Sequence, residues 1–279
     1  MDRYTRWSAF REAGLWVAAI PVLAPVYFVA ATAFKTPADA AGSPFAPPAP
    51  PTPGNLTRAW AEAGGESVSF GQALLNSVVT TAAVVALLVA IAAPAGYVLA
   101  RRASRVSGLL FGLFTLGMIL PVQLGLIPLY AVMVETGLAG TRGGLVLVYL
   151  GLQMPLAVFL YAGFFRGLPA AYEEAARVDG AAPVRIFVQI VFPLVRPVTG
   201  VVAVLTGLFV WNDFFVALVF VGDTGKVTLP VAVYSFVGRF SAEWPLIFAA
   251  ALIALAPVLL VYGFMQRSIT RGFVSALRG

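Results

Sequence analysis

The stretch LLNSVVTTAAVVALLVAIAAPAGYVLA, residues 74–100, contains no charged side chain. A helix of this length spans about 40 Å at 1.5 Å per residue, which is enough to cross the roughly 30 Å hydrocarbon core of a membrane. Strands of outer-membrane barrels are only about ten residues long and alternate apolar with polar positions. This stretch is longer than such a strand and does not alternate, so it predicts a transmembrane α-helix.

Five further apolar runs lie along the chain of 279 residues, of which 60% are hydrophobic and 11% charged. Soluble domains carry about 25% charged residues, so lipid is the expected surroundings of much of this surface. The first run could instead be a signal peptide, but it exceeds the usual length of about 7–15 residues, which favours a retained anchor. The sequence thus predicts an all-α membrane protein with six transmembrane helices: 13–34, a helix within 67–100 that begins near residue 74, 106–134, 143–165, 197–221 and 244–266.

The absence of two residue types restricts the chemistry. The chain has no cysteine and no histidine, which excludes disulfides and removes the commonest metal ligand and general base. The spans hold no paired carboxylates, so a membrane-embedded enzyme is disfavoured and no metal site is expected. The net charge of +6 comes from arginines scattered between apolar runs, which indicates membrane topology rather than a nucleic-acid partner.

The basic residues predict the orientation of the chain. With the N-terminus in the cytoplasm and six crossings, the C-terminus is also cytoplasmic, and most basic residues fall inside, as the positive-inside rule requires. The inside segments hold Arg3, Arg6, Arg11, Arg101, Arg102, Arg105, Arg166, Arg177, Arg185, Arg196, Arg267, Arg271 and Arg278, and the outside segments hold Lys35, Arg58, Arg142, Lys226 and Arg239.

The predicted spans divide the chain into five parts. The external segment after the first span is rich in proline, so it should begin extended, with a short helix near 56–62. It is either a plain linker or a contact surface. The parts are a cytoplasmic N-terminus, 1–12; the first transmembrane helix, 13–34; the external proline-rich segment, 35–73; a five-helix core, 74–266, with a cytoplasmic loop at 166–196; and a cytoplasmic tail, 267–279.

The cytoplasmic loop contains the most informative pattern, LPAAYEEAARVDGAAPVRIFVQIVFP at 168–193. Pro169 suits the first turn of a helix, which Gly180 can end in a left-handed cap. Pro183 can then open a second helix, which Pro193 should end. Glu173 and Glu174 lie within one turn of Arg177 and can pair with it. The loop therefore predicts two short helices, which are either a solvated connector or a shape that fits a groove on a partner.

This loop resembles the "EAA…G…I-LP" loop of ABC importer permeases, because Glu174-Ala175-Ala176 precede Gly180, Ile190 and Pro193 at the family's spacing. Phe192 replaces the usual leucine. Val178-Asp179-Gly180-Ala181 and Trp211-Asn212-Asp213-Phe214 are similar to the carbohydrate-uptake branch, and the C-terminus resembles that of the maltose-type second permease. The resemblance implies that the loop docks on an ATPase subunit through Glu174, Ala175, Ala176, Asp179, Gly180, Ile190 and Pro193, and that the tail reaches the same subunits through Arg271, Gly272 and Gly279.

The resemblance also implies the fold and the partners. The fold would be that of a type I ABC importer permease in a bacterial inner membrane. The partners would be a second homologous permease subunit, a dimer of cytoplasmic ATPase subunits, an extracytoplasmic sugar-binding protein and membrane lipid. ATP and magnesium would bind the ATPase subunits, with no cofactor on this chain, so the chain would be a sugar permease and not an enzyme.

Four polar residues within the apolar runs are candidates for a solute pathway. A carboxylate at the bilayer centre costs about 2.5–3.5 kcal/mol, so Asp213 should face the interior of the bundle or water. Asp213 either lines the pathway or makes a structural hydrogen bond between helices. Either role is also open to Asn212, Gln123 and Gln153. A secondary transporter or channel is the alternative function, although such proteins usually place ionisable residues in several spans. Glycine pairs at 108/112 and 163/167 permit close helix approach.

Overall fold

Helix is the regular secondary structure of the computed structural model, which describes residues 6–62, 68–222, 224–237 and 242–276. The described residues otherwise contain one isolated β-bridge, between Val237 and Ala242. The predicted all-α class is therefore confirmed. The helices are α1 (Arg6–Ala33), α2 (Pro37–Gly42), α3 (Gly54–Glu62), α4 (Phe70–Arg101), α5 (Arg105–Gly117), α6 (Val122–Glu135), α7 (Arg142–Gly167), α8 (Ala171–Val178), α9 (Pro183–Ile186), a π-helical turn (Phe187–Val191), α10 (Phe192–Leu194), α11 (Arg196–Asn212), α12 (Phe215–Val221), α13 (Leu229–Tyr234) and α14 (Trp244–Ala276). Two compact units are present, one of residues 1–71 with 232–263 and the other of residues 72–231 with 264–279.

Three described helices are long and apolar enough to cross a membrane by themselves: Gly14–Ala33 within α1, all of α4 and all of α7. Two bent pairs would each add a span if the pair crosses as one unit, namely α5 with α6 and Pro183–Leu194 with α11. The apolar part of α14, Trp244–Leu260, is shorter. The described residues therefore contain three to five spans by this measure, and the number six stays a prediction.

The third predicted span is not the continuous helix that its composition suggests. Helix α5 ends at Gly117, α6 begins at Val122, and the two helices are bent by 104°. Pro121 between them has extended backbone, with φ −64° and ψ 123°. Because a residue that precedes proline is disfavoured in the helical conformation, the chain leaves the helix ahead of Pro121. Hydropathy is uniform across this break and does not reveal it.

The proline-rich segment folds back onto the end of α1 within the first unit. Lys35 is buried, and its Nζ donates hydrogen bonds to the carbonyl oxygens of Ser43 (2.8 Å) and Pro44 (2.9 Å). The Nδ2 of Asn55, also buried, donates to the carbonyl oxygens of Ala33 (2.9 Å) and Lys35 (2.7 Å). The bond from Asn55 to Ala33 satisfies one of the carbonyl groups that the end of α1 exposes, and the other three bonds hold the segment against itself. Helix α3 confirms the short helix predicted near 56–62. The predicted extended start is wrong, because Pro37 opens helix α2, a position at which proline needs no N–H.

In the second unit, α4 and α7 approach each other closely at Gly96. A Cβ added to Gly96 would lie 2.7 Å from the Cβ of Tyr161 and 3.1 Å from the backbone nitrogen of Ala162. A hydrogen in place of a side chain is what permits two membrane helices to pack at this distance. The glycines at 108, 112, 163 and 167 are different, since an added Cβ would meet no described atom within 4 Å.

We expect Gly96→Val to destabilise the protein by about 1–3 kcal/mol, the usual cost of overpacking, because the new side chain forces α4 away from α7. Thermal unfolding in detergent measures this as a lower Tm. Gly108→Val is the matched control, since its Cβ would lie in open space. Equal Tm values for the two variants would contradict the close packing at Gly96.

A buried polar cluster joins the start of α4 to the chain that precedes α13. The side chain of Asn76 accepts a hydrogen bond from Nη2 of Arg142 (2.6 Å) and donates to the carbonyl oxygens of Gly225 (3.3 Å) and Val227 (3.0 Å). The Oγ of the adjacent Ser77 accepts from the backbone N–H of Leu229 at 2.7 Å. The segment around 225–229 is therefore attached to the start of α4 by Asn76 and Ser77, and Asn76 is in turn bonded to Arg142 at the start of α7.

Candidate functional site

The predicted cytoplasmic loop folds as two short helices joined by a tight turn. Gly180 lies at the end of α8 with φ +78°, in the left-handed region. Its N–H donates to the carbonyl oxygen of Arg177 (3.0 Å), and the N–H of Ala181 donates to that of Ala176 (3.0 Å). These two bonds form a Schellman cap, in which glycine is preferred because it has no Cβ. The predicted left-handed cap is confirmed.

The prolines of the loop lie near the helix ends that they predict. Pro183 opens α9 as expected. The first helix starts later than expected, because Ala170 is the N-cap of α8 and Pro169 precedes it. The second helix ends at Leu194, one residue past Pro193, and the chain then bends by 74° into α11.

A π-helical turn at 187–191 interrupts the second helix and was not predicted. The N–H of Phe192 donates to the carbonyl oxygen of Phe187, five residues back. Pro193 follows at once, and in an α-helix its ring would meet the carbonyl four residues back. A π turn changes the position of that carbonyl, so the helix can continue through Pro193. Ile190 and Pro193 are half-buried in this segment.

The predicted docking residues of α8 lie on two different faces. Glu174, Ala175 and Asp179 are exposed, whereas Glu173 and Ala176 are buried. Ala176 therefore packs against its own chain, whereas Ala175 is open to solvent, and the role of both alanines as contacts for a partner stays a prediction. The apolar spacing of this short helix is too sparse to tell the two faces apart.

Glu173 faces the end of α4. Its Oε1 lies 2.7 Å from Nε of Arg101, and its Oε2 accepts a 2.7 Å hydrogen bond from the hydroxyl of Tyr97. Nη2 of Arg101 also donates to the carbonyl oxygen of Leu168, at 3.0 Å. The predicted pairing with Arg177 is the weaker one, with Nη2 at 4.0 Å from Glu173. The sequence assigns Arg101 only a role in topology, and the available signal is its position at the C-terminal end of an apolar run.

Large apolar side chains are exposed along the rest of the loop. Val178 is 88% exposed and Val184 is 75% exposed, and Tyr172 and Val188 are more than half exposed. These four residues and the exposed Glu174, Ala175 and Asp179 define the loop surface. Exposed large apolar side chains that form a contiguous patch are typical of a surface that another protein covers.

Asp213 occupies the break between α11 and α12. Its Oδ2 accepts a 2.9 Å hydrogen bond from the hydroxyl of Tyr149 and a 3.1 Å bond from the backbone N–H of Ala217. The carboxylate therefore connects α7 to the broken fifth run and satisfies an N–H in the first turn of α12. These two contacts support a structural role for Asp213. Its side chain is only half-buried, so a role in lining the solute pathway stays a proposal.

The other pathway candidates lie in different surroundings. Asn212 is exposed, and its Nδ2 donates to the carbonyl oxygen of Leu208, one turn earlier in α11, at 2.8 Å. Gln123 is exposed in the first turn of α6, and Gln153 is buried in α7. The described contacts do not join these side chains to Asp213.

The side chains of the predicted tail residues lie outside the part of the chain that the structure describes. The backbones of Arg271 and Gly272 belong to α14, but their side chains are not among the described groups, and Gly279 is not described at all. Among the described residues, no group of three or more carboxylates lies close enough together to hold a metal ion.

Comparison with known proteins gives a consistent assignment. Residues 92–275 match the family described as "Binding-protein-dependent transport system inner membrane component". The melibiose/raffinose/stachyose import permease MelC of Bacillus subtilis is 34% identical over 91% of this chain and 91% of its own length. The diacetylchitobiose uptake permease NgcG of Streptomyces coelicolor is 32% identical over 95% of this chain and 86% of its own.

The fold is also similar to that of a solved transporter. A chain of a bacterial ABC transporter involved in import of the acidic polysaccharide alginate superposes with a TM-score of 0.78. The match covers 96% of this chain and 99% of the other, at 20% identity, so it concerns the fold alone. By the family match and the identity to its relatives, this chain belongs to the binding-protein-dependent transport system inner membrane component family.

Proposed function

We propose that this chain is the transmembrane subunit of an ATP-driven, binding-protein-dependent sugar importer. The exposed face of α8 carries this proposal. Glu174 and Ala175 are exposed on the helix that ends in the glycine-capped turn, at the spacing of the EAA loop of ABC importer permeases. The names of MelC and NgcG, which import oligosaccharides, support a sugar as the solute.

The loop surface docks on a cytoplasmic ATPase subunit. Glu174 and Asp179 supply charge, and Val178 and Val184 supply apolar area that is desolvated in the complex. Ile190 and Pro193 act indirectly, by shaping the second helix. A dimer of ATPase subunits binds ATP and magnesium, and this chain hydrolyses nothing. Arg271, Gly272 and Gly279 extend the contact through the C-terminal tail.

The chain crosses the membrane six times with both termini in the cytoplasm. Its parts are those expected from the sequence, with the external segment at 35–73 and the core at 74–266. The native chain has no cysteine, so single cysteines can report the topology. A membrane-impermeant maleimide should label Thr136→Cys, but not Val178→Cys, in intact spheroplasts. The reverse labelling would contradict this orientation.

This chain forms half of the solute pathway, and a second homologous permease subunit forms the other half. The polar candidates Asn212, Asp213, Gln123 and Gln153 supply groups that can bind sugar hydroxyls. An extracytoplasmic sugar-binding protein delivers the solute to the external side. Exposed apolar side chains on α1 and α5, such as Trp16 and Leu109, face lipid or the second subunit.

Purification of the complex in mild detergent tests this function. We expect an ATPase and a second permease to copurify with the tagged chain, and the reconstituted complex to accumulate an oligosaccharide only with ATP and binding protein. The external protein can be identified by capture on the same complex. A chain that transports sugar without any ATPase would instead be a secondary transporter or channel.

A further inference from the structure

We propose that Arg101, Glu173 and Tyr97 form a latch that transmits movement of the docked loop to α4, an inference that rests on the proposed function. The latch lies on the buried face of α8, whereas Glu174 lies on the exposed face. Its three residues are positioning residues, since none of them belongs to the proposed docking surface or to the solute pathway.

The latch is the polar attachment of α8 to the bundle. Within the described residues, the two buried side chains of α8 are Glu173 and Ala176, and Ala176 can supply only van der Waals contact. Glu173 is 4% exposed and receives a guanidinium nitrogen on one carboxylate oxygen and a phenol hydroxyl on the other. A buried carboxylate is tolerated only when it is paired and hydrogen bonded, so this geometry should persist while the loop moves.

Arg101 joins three elements at one point. It is the last residue of α4, its Nε lies against Glu173 of α8, and its Nη2 holds the carbonyl oxygen of Leu168 at the end of α7. The guanidinium fork presents a separate nitrogen to each acceptor, whereas a lysine in its place would have to reach both acceptors from one nitrogen at the end of a flexible chain. A force on α8 is therefore delivered to the cytoplasmic end of α4.

Tyr97 adds an aromatic contact to the ionic one. Its ring lies 5.4 Å from that of Phe165 in α7 and 5.2 Å from that of Phe187 in the π-helical turn. Edge and tilted aromatic pairs at these distances are favourable beyond their buried area. Both helices of the loop are thus attached to the same turn of α4, the first by Glu173 and the second by Phe187.

The ratio of uptake to ATP hydrolysis in the reconstituted complex tests the latch. The double variant Arg101→Met/Glu173→Met removes both charges together, which usually preserves folding better than removing one. We expect it to keep the ATPase bound, with unchanged Tm, while uptake per ATP falls by at least about fivefold, the lower end of typical coupling between sites. Arg102→Met, at the exposed neighbouring residue, is the control and should keep the wild-type ratio.

A milder pair of variants keeps the test decisive if the double variant fails to accumulate. Glu173→Gln retains an acceptor for Tyr97 but loses the charge that holds Arg101, and Tyr97→Phe removes only the hydroxyl. We expect a reduced ratio for Glu173→Gln and a smaller reduction for Tyr97→Phe. A wild-type ratio in the double variant, or in Glu173→Gln, would overturn the latch alone, whereas absence of any ATPase from the unaltered complex would overturn the proposed function and the latch with it.

Discussion

The variant Glu174→Lys should insert into the membrane normally but lose most ATP-driven uptake. Glu174 is exposed and makes no ion pair with another described residue, so the bundle does not need it. At a docking surface its carboxylate would meet a complementary group, and a reversed charge would place like charges together. Loss of one partner from such a pair costs about 2–5 kcal/mol, which is a thirtyfold or greater loss of affinity.

The measurement for Glu174→Lys is the amount of ATPase retained on the purified chain, with uptake in the same preparation. Glu135→Lys is the matched control, because it makes the same charge change at an exposed residue at the end of α6. If both variants retained the ATPase and full uptake, Glu174 would have no role in docking. If both lost it, the effect would be one of net charge.

The variant Gly180→Pro should abolish uptake as well, by a different route. Gly180 has φ +78°, whereas proline is restricted to about −65°. Proline would also remove the N–H that bonds to Arg177 and would disfavour the present conformation of Asp179. The cap would be lost, and the second helix of the loop would leave in another direction. The cost is about 3 kcal/mol or more, but it is confined to the loop.

Gly180→Asn is the matched control for Gly180→Pro, since asparagine adopts the left-handed region more readily than other residues with a side chain. We expect it to keep most ATPase binding and uptake, while Gly180→Pro keeps only membrane insertion. Insertion is measured by the yield of monodisperse protein in detergent. Full uptake by Gly180→Pro would show that the turn does not determine how the loop docks.

Much of this architecture follows from local sequence. Long uncharged runs predict α4 and α7, because hydrophobic length is the property that a membrane selects. The capped turn at Gly180 follows from a residue type with one strong conformational preference. As a member of its family, the chain is a multi-pass permease of the inner membrane, and the spacing of the loop already resembled that family.

Other features depend on tertiary contacts that the sequence does not display. The break near Pro121 lies within uniform hydropathy, and the close approach at Gly96 depends on which helix lies opposite. The burial of Glu173 rather than Glu174 is a difference of one position on a short helix. It is decided by where Arg101 lies in space, 72 residues earlier in the chain.

Site-specific cross-linking tests most directly whether the loop grips a separate ATPase. Because the native chain has no cysteine, Ala175→Cys provides a single attachment point for a photoactivatable maleimide on the exposed face of α8. We predict one major adduct, with a cytoplasmic ATPase, that is absent when the probe is placed at Thr136→Cys. An Ala175 probe that remains in solvent in the active complex, or that is reached from the external side, would contradict the account.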